Sequence, residues 1–264
     1  MQIQQQEIRD FEVCVFLGDI HFPHSDPWAL QLALQGCRYL NPDRIYLIGD
    51  VTDFHAISKY NKRPPEALTL QKEINESRTF LRELRNEFPG AEIHYLDGNH
   101  EQRLTHYLWR NPEIFHLEVL SIQSLLHLNR LNIHHHPYNQ QVLIGDSFIV
   151  EHGNIVRKHS GYTASGMVEN RHISGISGHT HRLGTHFRCQ WDQVLRWHEN
   201  GCLCQLNPGY ATLPNWQQGF SVGLFHPNLD LVAIEQIPIY NQSRTGDFNH
   251  QYILMGDQKI SVTP

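Results

Sequence analysis

Five short apolar runs in this chain each end at a turn in which glycine stands beside aspartate, asparagine or histidine. Short apolar runs bounded by such turns are typical of buried β-strands. The runs cover residues 11–17, 44–48, 92–96, 147–150 and 173–177. Because the carboxyl ends of parallel strands meet at one edge of a sheet, we expect these polar turns to converge in space.

Two segments with helical periodicity separate the first three runs. Apolar residues recur three or four positions apart over 30–40, after Asp26-Pro27, which offers an N-cap and a first-turn proline. The same spacing over 70–88 stops at Pro89-Gly90, a pair that commonly ends a helix. The alternation of strand and helix predicts an α/β fold whose core strands run parallel.

The rest of the chain has a different pattern. From Trp197 onward the sequence is strand-like and rich in turns, and we expect a second sheet there. The stretch 101–137 is expected to form helices and loops inserted between core strands. Because the sequence shows neither an internal repeat nor a Ser/Gly-rich linker, a single domain over 1–264 is expected. The strand-like runs near the C-terminus are 202–206, 220–225, 231–237 and 252–255.

Composition and charge narrow the class of protein. A net charge of −6 argues against a protein that coats nucleic acid with a broad basic surface. The apolar runs are shorter than the roughly 20 residues of a membrane helix, and the N-terminus lacks a signal pattern, so we expect a cytoplasmic protein that does not contact membranes. The five cysteines are expected to be reduced thiols without a catalytic role, with Cys202-x-Cys204 as ordinary buried side chains.

Histidine, the commonest metal ligand, occurs 20 times. A His-x-His pair alone has little meaning in such a chain, which contains two of them, His134-x-His136 and His179-x-His181. The second pair is more informative because it follows a predicted strand, as four other polar clusters do. In chain order the five clusters are Asp19-x-His21, Gly49-Asp50-x-x-Asp53, Gly98-Asn99-His100-Glu101, His152-Gly153 and Gly178-His179-x-His181.

This ordered set of motifs resembles the calcineurin-like metallophosphoesterase superfamily, and the resemblance runs from about residue 11 to residue 182. It implies a four-layer α/β/β/α sandwich in which two mixed β-sheets are flanked by helices. It also implies two metal ions bridged by the carboxylate of Asp50. By this resemblance one ion would be held by Asp19, His21, Asp50 and His181, and the other by Asp50, Asn99, His152 and His179.

The resemblance also assigns roles to residues beside the ligands. His100, which follows Asn99, is expected to stabilise the transition state or to protonate the leaving oxygen, as its family counterpart is thought to do. His100 and Asp50 are therefore the candidate catalytic residues. Asp53 and Glu101 are expected to lie behind the ligands. We expect Asp53 to cap its turn or to orient a ligand histidine rather than to bind metal directly.

Mixed imidazole and oxygen ligands favour transition metals over calcium or magnesium. Manganese is our first expectation, with iron, zinc or nickel as alternatives. Only Asp19 and Asp50 are charged among the seven ligands, so two divalent ions and a bridging hydroxide leave one net positive charge, which attracts phosphate. The resemblance implies that this hydroxide is the nucleophile, with the pKa of the bound water lowered toward roughly 7, so that no serine or cysteine nucleophile is required.

The expected function is metal-dependent hydrolysis of a phosphate monoester or diester, with a small or nucleotide-like substrate. Protein Ser/Thr phosphatases of the superfamily carry Arg-Gly after the last aspartate of the second motif, and Phe54-His55 at that place argues against this subfamily. Residues 200–220 resemble the tail of phage- or prophage-encoded metallophosphoesterases. One alternative is a metal-dependent DNA or RNA nuclease, which requires a groove lined by basic residues. Another is a non-catalytic metal-binding scaffold of the same fold, against which the intact His100 argues.

Overall fold

Two β-sheets lie face to face at the centre of the structure, a computed structural model that describes residues 10–59, 69–207, 214–241 and 251–262. Buried side chains fill the space between them, among them Phe16 and Tyr46 of one sheet and Phe148 and Ile176 of the other.

The strands are β1 (Glu12–Leu17), β2 (Arg44–Leu47), β3 (Glu92–Leu96), β4 (Ile133–His136), β5 (Val142–Ile144), β6 (Phe148–Glu151), β7 (Ser174–Ser177), β8 (Leu183–Gln190), β9 (Gln193–Asn200), β10 (Gly219–His226), β11 (Leu231–Pro238), β12 (Tyr240–Asn241), β13 (Gln251–Met255) and β14 (Gln258–Val262). The α-helices are α1 (Pro27–Leu40), α2 (Leu70–Glu87), α3 (Gln102–Arg110), α4 (Ile122–Leu125) and α5 (Tyr162–Arg171).

The first sheet has the strand order β11-β10-β1-β2-β3-β4. Strands β1 to β4 are parallel, and Ile45 of β2 lies between Val15 of β1 and Ile93 of β3. Helices α1 and α2 make the connections between the first three strands. Strands β10 and β11 add antiparallel pairs beside β1. The turns after β1, β2 and β3 therefore lie at the same edge of this sheet.

The second sheet has the order β5-β6-β7-β9-β8. Strands β6, β7 and β9 are parallel, whereas β5 pairs antiparallel with β6 and β8 pairs antiparallel with β9. Both large sheets are thus mixed. The turns after β6 and β7, which carry the last two sequence motifs, share an edge of this sheet.

Helices cover the outer face of each large sheet. On the first sheet, Leu32 of α1 and Leu81 of α2 belong to the same buried cluster as Ile45. On the second sheet, Met167 of α5 packs with Trp197. The layers follow the order helix, sheet, sheet, helix, so the predicted four-layer sandwich is confirmed. A third, small sheet of β12, β13 and β14 packs against α1.

Local sequence signals predict the core elements well. Each of the five predicted strands forms with bounds within one residue of those expected. The carboxylate of Asp26 accepts hydrogen bonds from the backbone N–H groups of Trp28 at 3.0 Å and Ala29 at 3.1 Å, so α1 begins as predicted. The second predicted helix is α2.

The expectation of a second sheet after Trp197 is wrong in its placement. The runs 220–225 and 231–237 lie in β10 and β11, which extend the first sheet, and 252–255 lies in the small third sheet. Residues 202–206 contribute isolated bridges rather than a strand. The second sheet is built from residues 142–200 instead. Periodicity identifies a strand, but packing over long sequence distances chooses its partner.

The stretch 101–137 contains α3, α4 and three turns of 3-10 helix, at Pro112–Ile114, Glu118–Leu120 and Asn129–Leu131. It ends in β4, an edge strand of the first sheet that periodicity did not predict. His134, His135 and His136 lie in that strand. Over the described parts of the chain, no helix combines the length and the apolar composition that crossing a membrane requires.

Candidate metal centre

The polar turns of the two large sheets meet at one end of the sandwich. Asp19 and Asp50 come from the first sheet, and His152 and His181 come from the second. Oδ1 of Asp19 lies 3.1 Å from Nε2 of His181, and Oδ2 of Asp50 lies 3.4 Å from Nε2 of His152. The structure thus brings together the seven side chains expected to bind metal, which are Asp19, His21, Asp50, Asn99, His152, His179 and His181.

One group of ligand atoms comes from Asp19, His21, Asp50 and His181, all of them buried. Nε2 of His21 lies 3.0 Å from Nε2 of His181, 3.9 Å from Oδ1 of Asp19 and 3.8 Å from Oδ2 of Asp50. Ligands that each lie about 2.0–2.2 Å from one ion are separated by distances of this size. The donor types and their spacing fit a transition-metal ion.

A second group is formed by Asp50, His152, His179 and Asn99. The candidate ligand atoms of the first three lie within 4.8 Å of one another. Oδ1 of Asn99 is 3.0 Å from Nε2 of His152. Nδ1 of His152 donates to the carbonyl of Ile48 at 2.9 Å, which leaves the lone pair of Nε2 directed at the group. This set also fits a metal ion.

Asp50 belongs to both groups. Its Oδ2 faces His21 on one side and His152 on the other, at 3.8 Å and 3.4 Å. Its Oδ1 accepts a hydrogen bond from the backbone N–H of His100 at 2.8 Å, which fixes the orientation of the carboxylate. A carboxylate in this position can bridge two cations and offset their mutual repulsion.

The carboxylates and imidazoles of the site shift each other's pKa values. Burial alone would raise the pKa of Asp19 and Asp50, but neighbouring histidines lower both. Burial alone would lower the pKa of His152, but Asp50 and Asp19 raise it to about 10. The pKa of His181 also rises to about 10, against burial, through Cys204 and Asp19. A metal ion held by these two imidazoles would compete with their protons, so its binding would release protons.

Glycine lets the turns approach one another closely. A Cβ atom at Gly98 would lie 2.5 Å from the backbone nitrogen of Asp50 and 2.8 Å from its Cγ. Gly49 has a φ of +97°, and a Cβ there would collide with the imidazole of His152. A side chain at either position would displace Asp50 or His152, so both glycines are needed for the geometry of the site.

Asp53 lies behind the ligands, where its carboxylate contacts two histidines. Its Oδ2 is 3.1 Å from Nδ1 of His21 and 3.3 Å from Nδ1 of His100. Hydrogen bonding from His21 Nδ1 to Asp53 turns Nε2 of His21 toward Asp19, Asp50 and His181. That Asp53 orients a ligand histidine rather than binds metal stays a prediction.

Glu101 holds the turns that carry the ligands. Its buried carboxylate accepts five hydrogen bonds of 2.8–3.0 Å. The donors are the backbone N–H groups of Asp50, Val51, Thr52 and Gly98 and the hydroxyl of Tyr95. Burial and the neighbouring carboxylates of Asp50 and Asp97 raise the pKa of Glu101 to about 7, although its five hydrogen-bond donors favour the ionised form. Glu101 therefore ties the turn after β2 to the turn after β3.

His100 lies at the partly exposed rim of the site. Its ring packs edge-on against that of His21 with centroids 4.3 Å apart, and its Nε2 is 3.8 Å from Oδ2 of Asp50. Burial alone would lower the pKa of His100, but Asp50 and Asp53 raise it. The side chain is placed to reach a group bound at Asp50.

The sequence did not place three residues at the site that contact it there, and one of them, Cys204, was expected only as an ordinary buried side chain. Cys204 Sγ lies 3.7 Å from Nδ1 of His181, and the indole of Trp216 packs against the same imidazole with centroids 4.3 Å apart. No sequence signal connects either residue with His181. Arg103 contacts both Asp53 and His100. Its position three residues after His100, at the start of a helix, is a spacing that indicates contact.

No family model matches the chain. The sequence is similar to the "Gene 54 protein" of Mycobacterium phage D29, with 27% identity over 85% of this chain and 92% of that protein. Among solved structures, Vacuolar Protein Sorting 29 from Cryptosporidium parvum is 12% identical and covers 96% of this chain and 97% of its own, with a TM-score of 0.43. YfcE, a phosphoesterase from E. coli, is 18% identical and covers 85% of this chain and 97% of its own, with a TM-score of 0.43. The phage relative agrees with the phage-type resemblance of residues 200–220.

Proposed function

We infer that this chain is a calcineurin-like metallophosphoesterase of the phage type that hydrolyses phosphate esters with two bound metal ions. The observation that carries the inference is the position of Asp50. One carboxylate oxygen of Asp50 faces His21 of the first ligand group and His152 of the second, 3.8 Å and 3.4 Å away. A shared ligand of this kind can hold two cations about 3.5–4 Å apart, the spacing at which paired metal ions clamp the attacking and leaving oxygens of phosphoryl transfer.

The ligand set supports transition metals, with manganese proposed first and iron, zinc or nickel as alternatives. When bound, two such ions would activate a water molecule as the nucleophile and polarise the phosphoryl oxygens. Seven ligands with only two carboxylates leave the loaded centre positive. This local charge attracts a phosphate ester although the chain as a whole carries a net charge of −6.

His100 is the residue proposed to act on the substrate. The carboxylate of Asp53 accepts a hydrogen bond from Nδ1 of His100, and this contact orients the ring so that Nε2 faces Asp50. From there Nε2 reaches a phosphoryl or leaving oxygen, to which the doubly protonated ring donates a proton. Asp53 holds the imidazole in this orientation.

Asp50→Ala and His100→Ala test this function, with His116→Ala, an exposed histidine of the 101–137 stretch, as the control. Hydrolysis of 4-nitrophenyl phosphate, bis(4-nitrophenyl) phosphate and nucleotides is measured with each candidate metal. His100→Ala should lower kcat by about 10²- to 10⁴-fold while metal content, measured by elemental analysis, stays that of the unmodified protein. Asp50→Ala should lose activity and metal together.

The control should retain full activity. Equal hydrolysis by all four proteins would assign the activity to a contaminant and refute the proposal. Absence of hydrolysis by the unmodified protein with every metal and ester would also refute it.

A further inference from the structure

Arg103 lies in the first turns of α3 and extends to the rim of the candidate metal centre. Its Nη1 donates to the Asp53 carboxylate at 2.7 Å and to the Asp53 carbonyl at 2.8 Å. Its Nη2 lies 3.0 Å from Nε2 of His100. The side chain is 19% exposed.

The contact between Arg103 and His100 fixes which imidazole nitrogen carries the proton. A guanidinium group has donors and no acceptor, so Nε2 of His100 must be the acceptor. The proton of the neutral ring then lies on Nδ1, which is 3.2 Å from the Asp53 carbonyl and 3.3 Å from its carboxylate. Asp53, His100 and Arg103 form a closed ring of hydrogen bonds that holds the guanidinium beside the site.

The ring leaves part of the guanidinium available. Arginine has five N–H donors, and the observed contacts use both hydrogens of Nη1 and one of Nη2. Within the described residues, no hydrogen-bond partner is found for Nε or for the second hydrogen of Nη2. Nη2 lies 3.0 Å from His100 Nε2, and that nitrogen lies 3.8 Å from Oδ2 of Asp50.

We propose that Arg103 is a substrate-binding residue that donates to a non-bridging phosphoryl oxygen and makes the site selective for phosphate monoesters over diesters. This inference rests on the proposed phosphoesterase function. Guanidinium groups bind phosphate through paired, charge-assisted hydrogen bonds and stay protonated at all relevant pH values. The N–H groups of Arg103 that have no partner among the described residues are of this kind.

The selectivity follows from the number of oxygens. A phosphate monoester carries three non-bridging oxygens and up to two negative charges, whereas a diester carries two such oxygens and one charge. If two non-bridging oxygens contact the metal ions, the third non-bridging oxygen of a monoester remains as a charged acceptor for Arg103. A diester has an ester oxygen in its place, which is a much weaker acceptor.

The kinetic test compares 4-nitrophenyl phosphate with bis(4-nitrophenyl) phosphate for the unmodified, metal-loaded protein and for Arg103→Ala and Arg103→Lys. The control is Arg110→Ala, on the same helix, whose exposed side chain donates to the carbonyl of His106. Arg103→Ala should lower kcat/KM for the monoester by about 10- to 100-fold, the loss expected for a hydrogen bond to a charged group. The diester value should fall by a smaller factor, because there Arg103→Ala removes only the contacts with Asp53 and His100, and Arg110→Ala should change neither value.

Two further results separate substrate binding from a purely structural role. Added guanidinium chloride at millimolar concentration should restore part of the monoester activity of Arg103→Ala. Arg103→Lys, which keeps the charge and can still pair with Asp53, should lose less than Arg103→Ala. Equal losses for monoester and diester without guanidinium rescue would show that Arg103 only anchors Asp53, and would overturn the proposal.

Calorimetric binding of inorganic phosphate to the metal-loaded proteins gives a readout that does not depend on turnover. Arg103→Ala should bind phosphate at least about 10-fold more weakly than the unmodified protein and Arg110→Ala. Unchanged phosphate affinity in Arg103→Ala would refute the role of Arg103. If the unmodified protein hydrolyses neither ester, the phosphoesterase function fails, while the calorimetric comparison still decides whether Arg103 binds phosphate.

Discussion

Five of the seven candidate ligands have a left-handed backbone. This conformation costs an L-residue roughly 1–2 kcal/mol relative to right-handed backbone, although Asp and His tolerate it better than most residues. Such outliers gather at functional sites, where the surrounding fold maintains them. The ligand arrangement is thus maintained at a cost in stability. The φ values are 52° for Asp19, 56° for His21, 52° for Asp50, 70° for His179 and 56° for His181.

His179 allows this cost to be measured. Both variants are measured with a metal chelator present, so that metal binding does not affect the comparison. Glycine adopts positive φ without strain, so the free energy of unfolding in urea should be about 1 kcal/mol higher for His179→Gly than for His179→Ala. The same pair of substitutions at His106, an exposed residue inside α3, should give the opposite order, because glycine weakens a helix by about 1 kcal/mol. Equal stability of the two His179 variants would show that the backbone there is unstrained.

Residues that support the ligands were predicted less completely than the ligands. The motifs place Asp53 and Glu101 beside ligand residues in the sequence, which was enough to expect them behind the site. Cys204 and Trp216 reach His181 from a segment whose path depends on the fold of the whole chain. Only the helical spacing from His100 to Arg103 could have indicated that Arg103 belongs to the site.

Among the elements, α3 has a second role besides carrying Arg103. Glu101, the residue before its first turn, accepts five hydrogen bonds from the ends of neighbouring strands. The helix start and the turns after β2 and β3 therefore form one hydrogen-bonded unit. Local periodicity predicted β1, β2, β3, α1 and α2, but it cannot predict a link that depends on a side chain between elements.

Glu101→Gln should disrupt this unit. The amide group keeps one acceptor oxygen and turns an NH₂ group toward buried donors, so the free energy of unfolding should fall by about 3 kcal/mol. Metal affinity should fall as well, because Asp50 loses its support. Glu113→Gln, at an exposed position, is the control and should change neither quantity. Denaturant unfolding and metal titration measure both, and a Glu101→Gln protein as stable as the control would contradict the account.

At the scale of the whole molecule, the candidate centre lies where the two sheets face each other. Asp19, Asp50 and Asn99 come from one sheet, and His152 and His179 from the other. Strand periodicity predicts that each sheet has polar ends, but it does not say which strands pair. That is why β10 and β11 were assigned to the wrong sheet, whereas the resemblance of the ordered motifs predicted the sandwich and the side chains that meet.

Anomalous X-ray diffraction from crystals of the protein grown with Mn²⁺ tests the central claim most directly. The account predicts two anomalous peaks on either side of the Asp50 carboxylate, one among Asp19, His21 and His181 and the other among Asn99, His152 and His179. Peaks located away from Asp50, or none at either position, would contradict it.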